Sequence, residues 1–190
     1  MELLKNRILK DGKALSENIL KVDTFLNHQV DPELMDEIAS EFRSRFDDRS
    51  FNKILTVESS GIAPAVMTGL KMGLPVVFAK KAKPSTMTEE YYTAPVHSFT
   101  KQKDYDVAVA AKFIKKNEKI LIIDDFLANG SASRALIAIA EQGGAKVEGI
   151  GIVIEKGFQN GGKLLRELGY RIESLTIIDG MSENSIRFRD

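Results

Sequence analysis

Ile120-Leu-Ile-Ile-Asp-Asp-Phe-Leu-Ala-Asn-Gly-Ser-Ala132 lies near the middle of a 190-residue chain, and its reading decides the fold. Four apolar residues running into two adjacent carboxylates read as a buried strand whose last residues, Asp124 and Asp125, are polar and exposed. Parallel sheets bind ligands at the carboxyl ends of their strands, so these two acids stand where chemistry is expected. Small residues follow (Ala128, Gly130, Ser131, Ala132), and helical spacing begins at Ser131. Strand, small-residue loop and helix start together favour an anion, because free backbone N–H groups and the helix dipole point at it. The carboxylates repel phosphate but accept hydrogen bonds from hydroxyls. A phosphorylated sugar satisfies both demands. A strand end with solvated acids, or a Walker B strand, also fits this run alone.

Outward from it, short apolar runs recur at Ile54–Val57, Val76–Ala79, Val147–Ile154 and Leu175–Ile178. Helical patterns lie between several of them, at Ala63–Lys71, Ser133–Glu141 and Lys163–Leu168, and Gly73, Gly143 and Gly169 each fall just past one. Asp31-Pro32 starts a helix, with Asp as cap and Pro at the first helical position, and Leu34, Ile38, Phe42 and Phe46 continue it on one apolar face. Strands alternating with helices predict an α/β fold with a mostly parallel sheet flanked by helices. Lys80 to Asp106 breaks the alternation with a polar stretch holding Pro84, Tyr91, Tyr92 and Pro95. A connection that long is a lid or binding loop, part of it pairing as a two-stranded flap, or else a disordered insertion.

Glu58-Ser-Ser-Gly-Ile-Ala-Pro64 repeats the strand–loop–helix layout, and Ser59, Ser60 and Gly61 can offer donors to a second anionic group or simply cap a helix. Gly157-Phe-Gln-Asn-Gly-Gly-Lys163 has P-loop spacing, but Leu164 stands where the Mg²⁺-binding hydroxyl belongs. It reads as a Gly-rich approach to a helix. His28 and His97 are far apart, without zinc-ligand spacing.

Composition narrows the class further. With 43% hydrophobic and 28% charged residues, the chain suits one soluble domain spanning 1–190. Lys plus Arg and Asp plus Glu cancel at 27 each, leaving no field for a nucleic-acid backbone or an anionic membrane. Cysteine is absent, which removes disulfides and thiolate metal sites. Met1-Glu-Leu-Leu-Lys-Asn-Arg7 is charged and amphipathic rather than signal-like, and no apolar run spans a bilayer, so a cytoplasmic protein is expected.

The run Leu121 to Ala132 resembles the phosphoribosyl-diphosphate signature of the type I phosphoribosyltransferases, with Asn129 where Thr is frequent. Asn can still donate to a phosphate oxygen. Four ordered blocks are similar to the bacterial xanthine phosphoribosyltransferases: Leu-Lys-Val-Asp-Thr-Phe-Leu-Asn-His-Gln at 20–29, Glu-Ser-Ser-Gly-Ile-Ala-Pro-Ala-Val-Met-Thr-Gly-Leu at 58–70, Asp-Asp-Phe-Leu-Ala-Asn-Gly at 124–130, and Gly-Ile-Gly-Ile-Val-Ile-Glu-Lys at 149–156.

The resemblance implies the type I fold, with a flap at about 80–106 and a small hood from about 1–30 and the region after 156. It also implies a reaction of purine salvage, xanthine plus phosphoribosyl diphosphate giving XMP and diphosphate, in a homodimer, with Mg²⁺ chelated to phosphoribosyl diphosphate. Asp124 and Asp125 then hold the ribose hydroxyls, and Ala128, Asn129, Gly130, Ser131 and Ala132 hold the 5-phosphate. Ser59, Ser60, Gly61, Lys80 and Lys81 meet the leaving diphosphate, and Leu20, Asn27 and Lys156 the base, with Phe126 or Phe158 stacking on it. A guanine- or hypoxanthine-preferring transferase stays open, as does a regulator of the same fold that senses phosphoribosyl diphosphate.

Overall fold

A computed structural model describes residues 1–81, 90–98, 103–183 and 185–189. The chain opens with α1 (Glu2–Asp11), β1 (Lys13–Ala14), β2 (Leu20–Lys21), a π-type turn (Asp23–Asn27) and α2 (Pro32–Arg45). Then come β3 (Lys53–Val57), α3 (Ile62–Met72), β4 (Val76–Ala79), β5 (Tyr91–Ser98) and β6 (Lys103–Ala110). After a single 3₁₀ turn follow β7 (Lys119–Leu127), α4 (Ser131–Gln142), β8 (Lys146–Lys156), α5 (Gly161–Glu167), β9 (Ile172–Ser182) and β10 (Ser185–Phe188).

Six strands form the central sheet in the order β10-β9-β8-β7-β3-β4. All its pairings are parallel except that of β10 with β9. Side chains alternate across a strand, so each strand feeds two cores. Ile54, Leu121, Ile123 and Val153 join α1 and α2 on one face. Leu55, Ile120, Ile122, Ile150 and Ile152 join α4 on the other. The Asp31 carboxylate accepts from the backbone N–H groups of Glu33 and Leu34, which is the expected cap of α2. Among the described residues no helix is long and apolar enough to cross a membrane.

Two readings change. β7 does not end at its acids: it runs on through Asp124 and Asp125 to Leu127, and the two residues are only 3% and 8% exposed rather than solvated. They are strand-end acids in position but not in solvation. The N-terminal residues, read as merely amphipathic, form α1, with Leu4 and Ile8 buried in the core.

Of the segment at 80–106, residues 82–89 and 99–102 lie outside the described residues. The remainder makes the two-stranded arrangement. β5 pairs antiparallel with β6 from Tyr91↔Ala110 to Ser98↔Lys103, so pairing reaches past 106. Ala94, Val96, Val107 and Val109 pack in the same core as α4. The base of this hairpin is therefore part of the folded body.

Candidate active site

The carboxyl ends of β3, β7 and β8 open on a cleft of about 930 Å³. Asp124, Asp125 and Phe126 contribute its floor, and Ala128, Asn129, Gly130, Ser131 and Ala132 one wall. Ser60, Lys81, Lys156 and Phe158 also line it. A separate hollow of about 760 Å³ among α1, α2 and α3 holds none of these residues.

The phosphate-loop candidate is built by its backbone. Gly130 sits at φ +78, a conformation that side-chain-bearing residues resist, and so turns the chain from β7 into α4. The Asn129 amide oxygen accepts from the Ser131 N–H at 3.0 Å, leaving the amide nitrogen as a donor for an anion. The first turn of α4 adds N–H groups without intrahelical acceptors. The Ser131 hydroxyl accepts from the His97 N–H at 2.8 Å, which ties the β5–β6 hairpin to this loop.

Electrostatics set Asp124 apart from an ordinary surface carboxylate. Burial, then the charge of Asp125 beside it, pushes the Asp124 carboxyl well above its usual range, with Lys81 acting the other way. One Asp124 oxygen accepts from the Asp125 N–H at 3.0 Å. The loop after β3 covers this pair closely: a Cβ on Gly61 would stand 2.7 Å from Asp124 Oδ1. Tyr105 lines the same cleft from the hairpin, and its hydroxyl is pushed up by burial and by the charge of Asp124.

Across the cleft, Lys156 ends β8 with its Nζ 5.5 Å from the centre of the Phe126 ring, donating to the Asn18 carbonyl at 2.7 Å. Burial lowers the pKa of this ammonium, and the charge of Asp125 opposes the effect. Lys81 stands 5.6 Å from the Tyr105 ring, and its backbone N–H donates to a Glu58 carboxylate oxygen at 2.6 Å.

Five sequence candidates do not line the cleft. Ser59 is exposed beside it and Gly61 is buried under it. Lys80 spends its backbone on a bridge to Ala108, with its side chain exposed. Leu20 points into the core, because β2 alternates and the neighbouring Lys21 faces solvent. Asn27 is exposed at the end of the π-type turn. The N-terminal segment instead reaches the cleft through Asn18 and Ile19, the two residues just before the quoted block. Glu58, His97, Tyr105 and Gln159 also line it without having been singled out as ligands. Of these, Glu58 carried a signal as the first residue of the Ser-Ser-Gly loop, and Gln159 one as part of the Gly-rich stretch before α5.

The P-loop spacing dissolves in three dimensions. Lys163 has a side chain 77% exposed and lies 3.8 Å from Glu167, the next turn of α5. Gly161 and Gly162 serve close packing rather than a phosphate.

A family model described as the phosphoribosyl transferase domain matches residues 22–185. A curated xanthine phosphoribosyltransferase of Clostridium acetobutylicum is 56% identical over 188 residues, covering 99% of this chain and 100% of the relative. One from Oceanobacillus iheyensis is 52% identical over 190 residues, covering 100% of this chain and 98% of the relative. Among solved structures, an adenine phosphoribosyltransferase from Rhodothermus marinus superposes with a TM-score of 0.75 at 17% identity, covering 94% of this chain and 100% of the other. That likeness speaks to the fold, which is of type I. Matched from end to end by relatives more than half identical, the chain belongs to the phosphoribosyl transferase family.

Proposed function

We propose that this protein is a xanthine phosphoribosyltransferase of purine salvage, converting xanthine and phosphoribosyl diphosphate to XMP and diphosphate. The observation that carries the reading is the convergence on one cleft of a buried acid pair, an anion loop and a lysine lying over an aromatic ring. The 52–56% identity to curated xanthine phosphoribosyltransferases supports the choice of base.

Displacement at the anomeric carbon develops oxocarbenium character while the leaving diphosphate already carries negative charge. The protein therefore contributes positioning and charge placement more than a nucleophile. Asp124 and Asp125 accept from the ribose hydroxyls. Two carboxylates sharing one buried place are relieved by positive charge nearby, so the pair favours the transition state over the neutral sugar. The Ala128–Ala132 loop takes the 5-phosphate. Ser60 and Lys81 meet the diphosphate from the cleft side, with Ser59, Gly61 and Lys80 completing that edge.

Among the described residues no group of three His, Cys, Asp or Glu is placed to hold a metal. The two carboxylates at the cleft, Asp124 and Asp125, fit Mg²⁺ that arrives chelated to phosphoribosyl diphosphate, since Mg²⁺ is held by one or two carboxylates together with substrate phosphates and waters. The ion would neutralise diphosphate charge.

Lys156 offers a donor to a purine oxo group, which xanthine bears at two positions and adenine at neither. Phe126, already beneath Lys156, is the better placed of the two aromatic candidates to meet the ring. The segments at about 1–30 and beyond 156 form the hood over the base, with Asn18 and Ile19 facing it and Leu20 and Asn27 supporting that wall. The segment at about 80–106 closes over the sugar and excludes water. A cytoplasmic homodimer belongs to the same reading.

Gly130→Val tests the phosphate loop. A β-branched residue at φ +78 is strained, and its Cβ would lie 3.2 Å from the Gly161 Cα. Binding of phosphoribosyl diphosphate, followed by titration calorimetry, is expected to weaken at least about tenfold, which is the loss of one neutral hydrogen bond or more. Unchanged affinity would place the phosphate elsewhere.

A further inference from the structure

Glu155 is the last residue before Lys156 on β8, yet it faces away from the cleft and is only 2% exposed. Its two carboxylate oxygens accept from Nη1 and Nη2 of Arg166, each at 2.7 Å, and the Ser174 hydroxyl donates to it as well. A bidentate pair of this kind fixes direction as well as distance. Arg166 lies on α5, and the fit between helix and strand is close. A Cβ on Gly162 would stand 2.0 Å from a Glu155 oxygen and 2.6 Å from Arg166 Nη1.

The neighbouring glycine of α5 faces the other way, onto the phosphate loop. The Gly161 N–H donates to the Ala128 carbonyl at 3.1 Å. A Cβ on Gly161 would stand 2.4 Å from that oxygen and 2.5 Å from the Gly130 nitrogen. Leu165, fully buried on the same helix, lies in the core under the loop. So α5 is wedged between the strand that ends in Lys156 and the backbone expected to bind phosphate. The wedge accounts for Gly162 of the apparent P-loop spacing and for Gly161 beside it.

We propose that the Glu155–Arg166 pair is a positioning device for phosphoribosyl diphosphate: it clamps α5 to β8, which presses Gly161 against Ala128–Gly130 and holds the phosphate loop in its binding shape. Neither residue touches the substrate. The inference rests on the transferase reading, because the ligand of the loop is the sugar phosphate named there.

Its test is steady-state kinetics of the full chain with each substrate varied in turn, alongside thermal melting. Arg166→Gln leaves a buried carboxylate without its partner, so the double variant Glu155→Gln/Arg166→Gln is made with it, removing that charge while still losing the clamp. Gly161→Ala perturbs the wedge from the loop side without touching the pair. All three are expected to raise the KM for phosphoribosyl diphosphate roughly ten- to a hundredfold, the scale of a misplacement near one ångström. The KM for xanthine should change by no more than about twofold, a difference too small to represent a lost hydrogen bond. Arg166→Lys, which keeps the charge but not the fork, should recover only part of the loss.

A purely structural pair would lower the melting temperature and leave both KM values unchanged, since KM does not depend on the fraction folded. That result, or a rise confined to the xanthine KM, overturns the inference, and if the Gln variants do not fold, Arg166→Lys, which loses the fork but keeps the buried charge paired, decides between these outcomes. Absence of xanthine turnover in the unmodified protein would instead overturn the transferase reading itself.

Discussion

Replacing Asp124 and Asp125 together by Asn is expected to lower kcat/KM for phosphoribosyl diphosphate by at least about a hundredfold, the scale of losing preorganised charge at a reacting centre. Folding should survive, and the reason lies in the direction of the Asp124 shift. Burial and the neighbouring Asp125 raise its folded-state pKa. A carboxyl whose folded pKa is raised contributes stability below its unfolded pKa and loses that contribution as pH rises through the folded one. Near neutral pH an ionised Asp124 is therefore a cost to the fold. Asp124→Asn alone should melt at the same or a higher temperature than the unmodified protein at neutral pH, and the difference should shrink as pH falls into the ordinary carboxylate range. Melting curves at several pH values check the stability half, and initial rates check the catalytic half. A double variant that turns over normally would remove the sugar site from these residues.

The second large effect concerns the base. Lys156→Met keeps an apolar stem over the Phe126 ring and removes the charge and its donors. A hydrogen bond to a charged group contributes roughly 1.5–3 kcal/mol, which corresponds to about ten- to more than a hundredfold in catalytic efficiency. Xanthine should lose that factor, while phosphoribosyl diphosphate binds as before. Xanthine also ionises more readily than guanine or hypoxanthine, so the loss of a nearby ammonium should fall hardest on it. The Asn18 carbonyl now accepts from Lys156. In the complex the base competes for those donors, and three hydrogens on one nitrogen can serve both. If Lys156→Met leaves the preference for xanthine intact, the base is read by other residues, with Asn18 and Ile19 the first to examine.

Much of this was legible before the structure, and the rest was hidden for identifiable reasons. The strand runs and the turn at Gly130 follow from local pattern, because apolar periodicity and a left-handed turn are properties of adjacent residues. The burial of Asp124 and Asp125 was not legible. Gly61, which packs against Asp124, and Tyr105, which lines the same cleft, approach from distant parts of the chain. α1 escaped notice because only Leu4 and Ile8 of its ten residues are buried, too few to make an apolar stripe. Leu20 misses the cleft because the pairing of Lys13 with Lys21 and Ala14 with Leu20 turns it into the core and leaves Asn18 and Ile19 at the cleft, a long-range pairing that no local pattern announces. Gly157, Gly162 and Lys163 offered a misleading P-loop spacing, whereas Gly162 is set by Glu155 on the adjoining strand and Gly161 beside it by Ala128 of the phosphate loop.

The central claim is that this cleft transfers a phosphoribosyl group to xanthine, and one measurement tests it most directly. The purified protein is given phosphoribosyl diphosphate and Mg²⁺ with xanthine, guanine, hypoxanthine or adenine in separate reactions, and nucleotide and diphosphate are quantified together. The account predicts equal formation of XMP and diphosphate, with the highest kcat/KM for xanthine and the lowest for adenine. Binding of phosphoribosyl diphosphate without turnover of any base would mark a sensor rather than an enzyme, and a preference for adenine would contradict the assignment of Lys156.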